Sequence, residues 1–250
     1  MVGQKPDRNI EHMKIKLVEL LNQTSSVGVV TRYEDVLEMR RSPFRDEVNI
    51  LEVRLDKWSF HLMDQMTQDL IALHKPLIIT PRDFREGGKK KDWRISDRIS
   101  LYRMYMRHAA PAFVDVEELT LRELAEVVAE AKKLGIGVII SYHNLVEMPS
   151  FADLLLRADA CHRAGGDVFK IAVRVKTLGD LVELEDAVSE IGRRYTFKVS
   201  AMATGEEFGK ISRFLDARVG GPFIYGYLTE AAVPGQPNAF EIKKTLALLQ

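Results

Sequence analysis

Asp167-Val168-Phe169-Lys170-Ile171-Ala172-Val173 sets one lysine inside an otherwise apolar run. Phe169, Ile171 and Val173 share one face by the two-residue strand period, and Lys170 shares the other with Ala172. Burying an ammonium is costly unless it is paired or neutralised, and burial lowers a lysine pKa from its unperturbed ~10.4, toward a usable amine nucleophile. Two readings stand on this segment alone. Lys170, Arg174 and Lys176 face water from an edge strand, or a buried strand carries a reactive amine.

Similar short runs flank it on both sides. Val27–Thr31, Val48–Arg54, Leu77–Thr80, Phe113–Val116 and Val138–Ser141 precede it, and Phe197–Ala201 and Phe223–Tyr227 follow. Helical spacing fills the intervals: Tyr33–Arg41, Ser59–His74, Ser96–His108, Ser150–Ala164, Thr177–Arg193 and Gly209–Ala217. Thr120 with Glu123 has the capping-box pattern for one more helix, ended by Gly135 and Gly137, and Asn238 with Glu241 opens the last. At the start, Ile10, Met13, Leu17, Leu20 and Leu21 predict an extra amphipathic helix within a tail-and-helix segment, residues 1–23. Eight βα units without a compositional break predict one α/β domain over residues 1–250, a (β/α)8 TIM barrel with an N-terminal extra helix. A doubly wound dinucleotide sheet would carry a glycine-rich first turn, whereas this one reads Val30-Thr31-Arg32-Tyr33; P-loop and H-E-x-x-H motifs are also missing.

Composition narrows the function. With 46% hydrophobic residues in 250 the chain can bury a full core, and 36 basic against 36 acidic residues give zero formal charge. That balance offers nucleic acid and acidic membranes no general attraction, so a small molecule is the expected partner. Cys161 is the only cysteine, which excludes a disulfide framework and fits a reducing cytoplasm. A signal-like leader and an apolar stretch of ~20 residues are both lacking, so no membrane association is expected. The six histidines show no ligand spacing among themselves or with Cys161, so no catalytic metal is expected.

In a barrel, chemistry gathers at the C-terminal ends of the strands. Inward parity there selects Glu52 and Arg54, Arg82, Asp115 and Glu117, Ser141 and His143, Lys170, then Ser200 and Met202 with Lys198 deeper. Each can be explained singly as a structural ion pair, a solvated strand end or a satisfied histidine. Five consecutive strands placing an ionisable group at one end of an apolar core favour the reactive-amine reading of Lys170. A lysine and a histidine on adjacent strands suit iminium chemistry, in which the imine acidifies the neighbouring carbon and the imidazole moves the proton. Arginines facing the same cavity imply an oxygen-rich anion, most simply a carboxylate.

These residues resemble the type I 3-dehydroquinate dehydratases. The likeness rests on Leu51-Glu52-Val53-Arg54-Leu55-Asp56, Arg82 through Glu86-Gly87-Gly88, Val114-Asp115-Val116-Glu117, Ser141-Tyr142-His143, Phe169-Lys170-Ile171-Ala172-Val173, Ile211-Ser212-Arg213 and Pro234-Gly235-Gln236, in order over residues 48–250. The resemblance implies syn elimination of water from 3-dehydroquinate to give 3-dehydroshikimate, without a cofactor, in the shikimate pathway, by a cytoplasmic homodimer. It implies that Lys170 forms the Schiff base, that His143 is general base and acid, and that Glu86 orients His143. It also assigns Glu52, Arg54 and Arg82 to the hydroxylated side of the ring, and Arg213 and Gln236 to the carboxylate. The chain departs from the family pattern at Ala232, where a serine is usual, and at Val175 and Asn144-Leu145. Gly205 and Gly209 stand one residue further apart than usual, and only Thr31 offers a hydroxyl near the first strand's end. Two alternatives remain at this level: a class I aldolase-like lyase for another keto acid or sugar phosphate, and a non-catalytic ligand-binding paralogue.

Overall fold

A computed structural model describes residues 17–59 and 63–249. Eight strands alternate with eight helices: β1 Ser25–Val30, β2 Ile50–Arg54, β3 Leu77–Thr80, β4 Phe113–Glu117, β5 Gly137–Asn144, β6 Val168–Arg174, β7 Lys198–Thr204 and β8 Phe223–Tyr227. The helices are α1 Tyr33–Arg41, α2 Met63–Ile71, α3 Ile95–His108, α4 Ala125–Lys133, α5 Phe151–Ala164, α6 Leu178–Arg194, α7 Glu206–Arg218 and α8 Ile242–Leu248. All ladders are parallel in the order β7-β6-β5-β4-β3-β2-β1-β8. Across the seam the Ser200 hydroxyl of β7 donates to the Phe223 carbonyl of β8 at 3.0 Å. The fold is the expected (β/α)8 barrel.

Strand alternation divides the core into two apolar regions. Outward residues such as Val138, Ile140, Phe169, Ile171 and Val173 pack under the helices, each fully buried. Burial of this kind contributes about 1.5–3 kcal/mol per large apolar side chain. On β6 alone, three such residues therefore hold the strand whose other face presents Lys170. Inward residues Val27, Ile50, Ile78, Phe113, Ile139, Val168 and Phe223 fill the barrel below the polar positions. The predicted N-terminal helix is described only from residue 17; residues 17–21 are helical, and residues 10–16 lie outside the described residues. Leu17, Leu20 and Leu21 pack against this inner cluster and plug the end opposite the strands' C-termini.

Local chemistry sets most helix boundaries. Thr177 Oγ1 accepts from the Asp180 amide at 3.1 Å while the Asp180 carboxylate accepts from the Lys176 and Thr177 amides, a complete capping box that starts α6. The Thr120–Glu123 pattern fails to do the same: helix α4 begins at Ala125, and Thr120 sits in a 3-10 turn with its hydroxyl bonded to Glu117. A buried ionic cluster has recruited that hydroxyl, and the tertiary partner outweighs the local cap. Helix α7 starts at Glu206, three residues before the expected Gly209, because Gly205 at φ 122° turns the chain out of β7.

Replacing Thr177 with alanine is expected to lower stability by about 1 kcal/mol and Tm by roughly 2–4 °C, with secondary structure unchanged. Thermal melts followed by circular dichroism check this, and an unchanged Tm would show that the cap is not limiting.

Candidate active site

Glu52, Arg54, Arg82, Glu86, His143, Lys170 and Gln236 line one cavity of about 250 Å³ at the C-terminal mouth of the barrel. Each sits there because β2, β3, β5 and β6 alternate polar side chains inward at their upper ends, or because a loop following β3 or β8 folds back over them. Thr31 is elsewhere: its hydroxyl donates to Asp35, so the first strand adds no hydroxyl to the cavity.

Lys170 is only 4% exposed. Its Nζ donates to Glu52 Oε1 at 2.9 Å and to Asp115 Oδ2 at 3.0 Å, and stands 4.0 Å from the centroid of the Tyr225 ring. Glu52 Oε1 also accepts from Thr80 at 3.1 Å. Arg82 is equally enclosed. Its Nη1 donates to Glu117 at 3.1 Å and to Ser141 at 2.6 Å, while Nη2 reaches Asp115 at 3.0 Å. Burial favours the neutral Asp115 carboxyl, but the Arg82 guanidinium and the Lys170 ammonium overcome it and hold this group well below the usual carboxylate range. Glu117 further accepts from Arg98 on α3, whose Nε donates to the Pro81 carbonyl at 2.8 Å.

His143 and Glu86 form a second unit. Glu86 Oε2 lies 2.8 Å from His143 Nδ1 and accepts from the His143 amide at 3.1 Å. The carboxyl is delivered by a 3-10 turn, Phe84–Glu86, capped by Asp83 and closed by Gly87 in the left-handed region. Burial pushes Glu86 up to about 8, against the pull of Arg82. Burial, then the positive charges of Arg82 and Lys170, hold the imidazole well below its usual range. At neutral pH the pair is therefore an uncharged imidazole beside a protonated acid. On β5 and β6, His143 is opposite Ala172 and Ser141 is opposite Lys170, so the imidazole stands one inward step above the amine on the neighbouring strand.

The outer wall is less polar. Arg54 grips Asp56 through Nε at 2.8 Å and Nη2 at 3.0 Å, and Gln236 Oε1 accepts from the Ala232 amide at 2.9 Å. Arg213 is not brought to this wall. It is 3% exposed and its Nη1 donates to the Ala203, Gly209 and Gly235 carbonyls, lacing the end of β7 and the first turn of α7 to the loop after β8. These loops meet without side chains: Gly235 has φ 78°, and a Cβ there would lie 2.2 Å from the Gly205 carbonyl. Among the described residues no carboxylate pairs with Arg213, and burial lowers its guanidinium to about 10. Met202 does line the cavity, so the altered Gly205–Gly209 spacing has not displaced it.

Sequence reasoning left several members without a role. Asp115, Glu117 and Ser141 were visible as inward polar residues, but parity could not tell that one carboxylate would hold both Lys170 and Arg82. Arg98 lies on a helix, and Lys57, Thr204 and Tyr225 of the cavity wall gave no sequence signal that separates them from surface or core. A larger groove of about 640 Å³ runs between Phe44 and Phe240, but it gathers no comparable ion pairs.

A parallel eight-stranded barrel with ionisable side chains collected at its C-terminal mouth places the chain among the (β/α)8-barrel enzymes. Within that class it belongs to the type I 3-dehydroquinase family, whose model matches residues 27–250. It is 33% identical over 205 residues to the 3-dehydroquinate dehydratase of Thermococcus onnurineus, covering 81% of this chain and 88% of that one. A catabolic 3-dehydroquinate dehydratase of Acinetobacter baylyi is 26% identical over 255 residues, covering 100% and 88%. The crystal structure of 3-dehydroquinate dehydratase from Geobacillus kaustophilus superimposes with a TM-score of 0.82 at 22% identity, over 91% of each chain.

Glu86 takes up a proton on folding, since its pKa rises from 4.5 to about 8. Its stabilising contribution is complete below pH 4.5 and is lost as pH climbs through about 8. Relative to the Glu86→Gln variant, wild-type Tm should therefore fall across that window. Parallel Tm curves from pH 4.5 to 8.5 would contradict the assignment.

Proposed function

We propose that this chain removes water from 3-dehydroquinate to give 3-dehydroshikimate, as a hydro-lyase of aromatic amino-acid biosynthesis. The observation that carries it is a buried lysine, flanked by Glu52 and Asp115, sharing one cavity with the His143–Glu86 pair in a chain of this family.

The Lys170 ammonium passes a proton to the neighbouring Glu52, the free amine adds to the C3 ketone, and that proton leaves with the ketone oxygen as water to give the iminium. The iminium draws electrons from C2, and His143, kept uncharged by burial and by its cationic neighbours, takes the C2 proton. With Nδ1–H donating to Glu86 Oε2, the same oxygen that accepts from the His143 amide, Nε2 is the nitrogen that carries it. The resulting enamine expels the C1 hydroxyl, which receives a proton from His143 and leaves as water. A second water hydrolyses the imine, releasing product and restoring the amine. Glu86 acts as a positioning residue through its two bonds to His143.

Glu52, Arg54 and Arg82 form the hydroxyl side of the site. Arg82, committed to Asp115, Glu117 and Ser141, serves there chiefly as the pivot of the charge network. Gln236 closes the carboxylate side, where Arg213 adds a buried positive charge behind the wall. The aldolase-like and non-catalytic alternatives have no support in the family match. We place the enzyme in the cytoplasm and as a homodimer; among the described residues no helix is long and apolar enough to cross a membrane, and the single cysteine is buried and free.

Borohydride reduction in the presence of 3-dehydroquinate, followed by peptide mass analysis, should trap an adduct on Lys170. A label on Lys57 or Lys198, or no label, would sink the assignment. Lys170→Ala should abolish formation of the enone carboxylate absorbance, and His143→Ala should slow it by roughly 10²–10⁴; near-normal turnover in either variant contradicts the mechanism.

A further inference from the structure

The hydroxyl side of the cavity carries more positive charge than its walls neutralise. Asp56, fully buried, accepts from Arg54 Nε at 2.8 Å through one oxygen, and through the other from Arg54 Nη2 at 3.0 Å and the Lys89 amide at 3.1 Å. One carboxylate thus stitches the 3-10 turn Leu55–Lys57, which follows β2, to the glycine loop that follows β3. That loop is pinned at a second point: the Gly88 amide donates to the Asp83 carbonyl at 2.9 Å, and a Cβ on Gly88 would lie 2.3 Å from the Arg82 carbonyl. Lys57 and Lys89, one on each side of the stitch, both line the cavity. Neither ammonium has a hydrogen bond or ion pair among the described residues. Lys57 is half-buried, and burial first, then Arg54 and Lys89, pull its pKa below the ordinary lysine range against Asp56 and Glu52.

The neighbouring carboxylates are already matched. Glu52, Asp115 and Glu117 face Lys170, Arg82 and Arg98 in a connected run of ion pairs. Arg54, Lys57 and Lys89 are left with Asp56 alone, an excess of two positive charges on the side where the proposed substrate brings only neutral hydroxyls. We propose that Lys57 and Lys89, together with the Arg54 Nη1 that no described residue occupies, form a binding site for a phosphate-class dianion. Lysine meets phosphate as a point charge, and a dianion cancels the excess that a carboxylate would only halve. The site opens into the cavity of Lys170, so its occupant displaces the substrate ring from the hydroxyl side and competes with it. That competition rests on the function proposed above; binding of the anion does not.

The test is inorganic phosphate against sodium chloride at equal ionic strength, near neutral pH where the dianion is abundant. Phosphate should raise the wild-type Tm and raise the KM for 3-dehydroquinate without lowering kcat. Lys57→Met should weaken phosphate binding about 10- to 100-fold, the range for a hydrogen bond to a charged group, and Lys89→Met should weaken it less, since that side chain is exposed. Lys57→Arg, which keeps the charge, should retain most of the binding. Without phosphate, the Tm of Lys57→Met should stay equal or rise, because no partner is lost. Cyclohexyl phosphate, run beside the free ion, tells the sources apart: tighter binding of the ester assigns the site to a phosphate carried on a ring, tighter binding of the ion to phosphate itself. A Tm shift no larger than that of chloride overturns the inference. So does phosphate binding that both methionine variants leave unchanged, which would place the anion beside Gln236 and Arg213. A lower Tm of Lys57→Met without phosphate, unrescued by Lys57→Arg, would mark a structural role and overturn it too. A phosphate-dependent rise of Tm in a protein that fails to dehydrate 3-dehydroquinate would overturn the proposed function and leave the anion site standing.

Discussion

Asp115 is the residue on which the interior depends. One carboxylate, fully buried on β4, receives Lys170 from β6, Arg82 from the end of β3 and Ser141 from β5. Removing one partner of a buried ion pair costs about 3–5 kcal/mol, because the other charge is left uncompensated. Both cations share this acceptor, and Glu52 for Lys170 and Glu117 for Arg82 complete the balance on either side. The arrangement is therefore a network in which each charge is tied to strands other than its own, so β2 to β6 must assemble before all of it is satisfied.

The same network sorts the two groups that lie just above it. Arg82 and Lys170 act on His143 and Arg82 acts on Glu86, yet burial dominates both. The imidazole is kept uncharged and the carboxyl keeps its proton, so the pair adds no net charge to a site already balanced below. A neutral imidazole is the form that can accept a proton from carbon, and a hydrogen-bonded neighbour fixes which nitrogen does so. Electrostatics and reactivity thus share one cause, the exclusion of water from the mouth of the barrel.

Much of this was legible in the chain because strand parity is a hard constraint. Once the run around Lys170 is a strand with Phe169, Ile171 and Val173 outward, Lys170 must point inward, and the same argument puts Glu52, Arg82, Asp115 and His143 in one interior. Glu86 was reachable only through family resemblance, since a 3-10 turn carries no periodicity. Thr120 misled because a cap motif reports local preference while Glu117 offered a tertiary partner. Tyr225 reads as an ordinary core aromatic; only the fold reveals that its hydroxyl lacks a partner among the described residues.

Arg213 shows how a role assigned by position can be divided in space. Its charge lies beside the turn of residues 234–236, unneutralised by any carboxylate among the described residues, while its Nη1 is spent on the carbonyls of 203, 209 and 235 and its Nε has no partner among them. A buried guanidinium without a counter-ion raises the affinity of the adjoining wall for an anion even without touching it, because the field is poorly screened away from water. The wider Gly205–Gly209 interval is absorbed in the first turn of α7, where Gly209 remains close enough to Gly235 for this lacing to form. On the function proposed above, an alanine at 232 then removes a hydroxyl from the wall without removing the positive charge behind it.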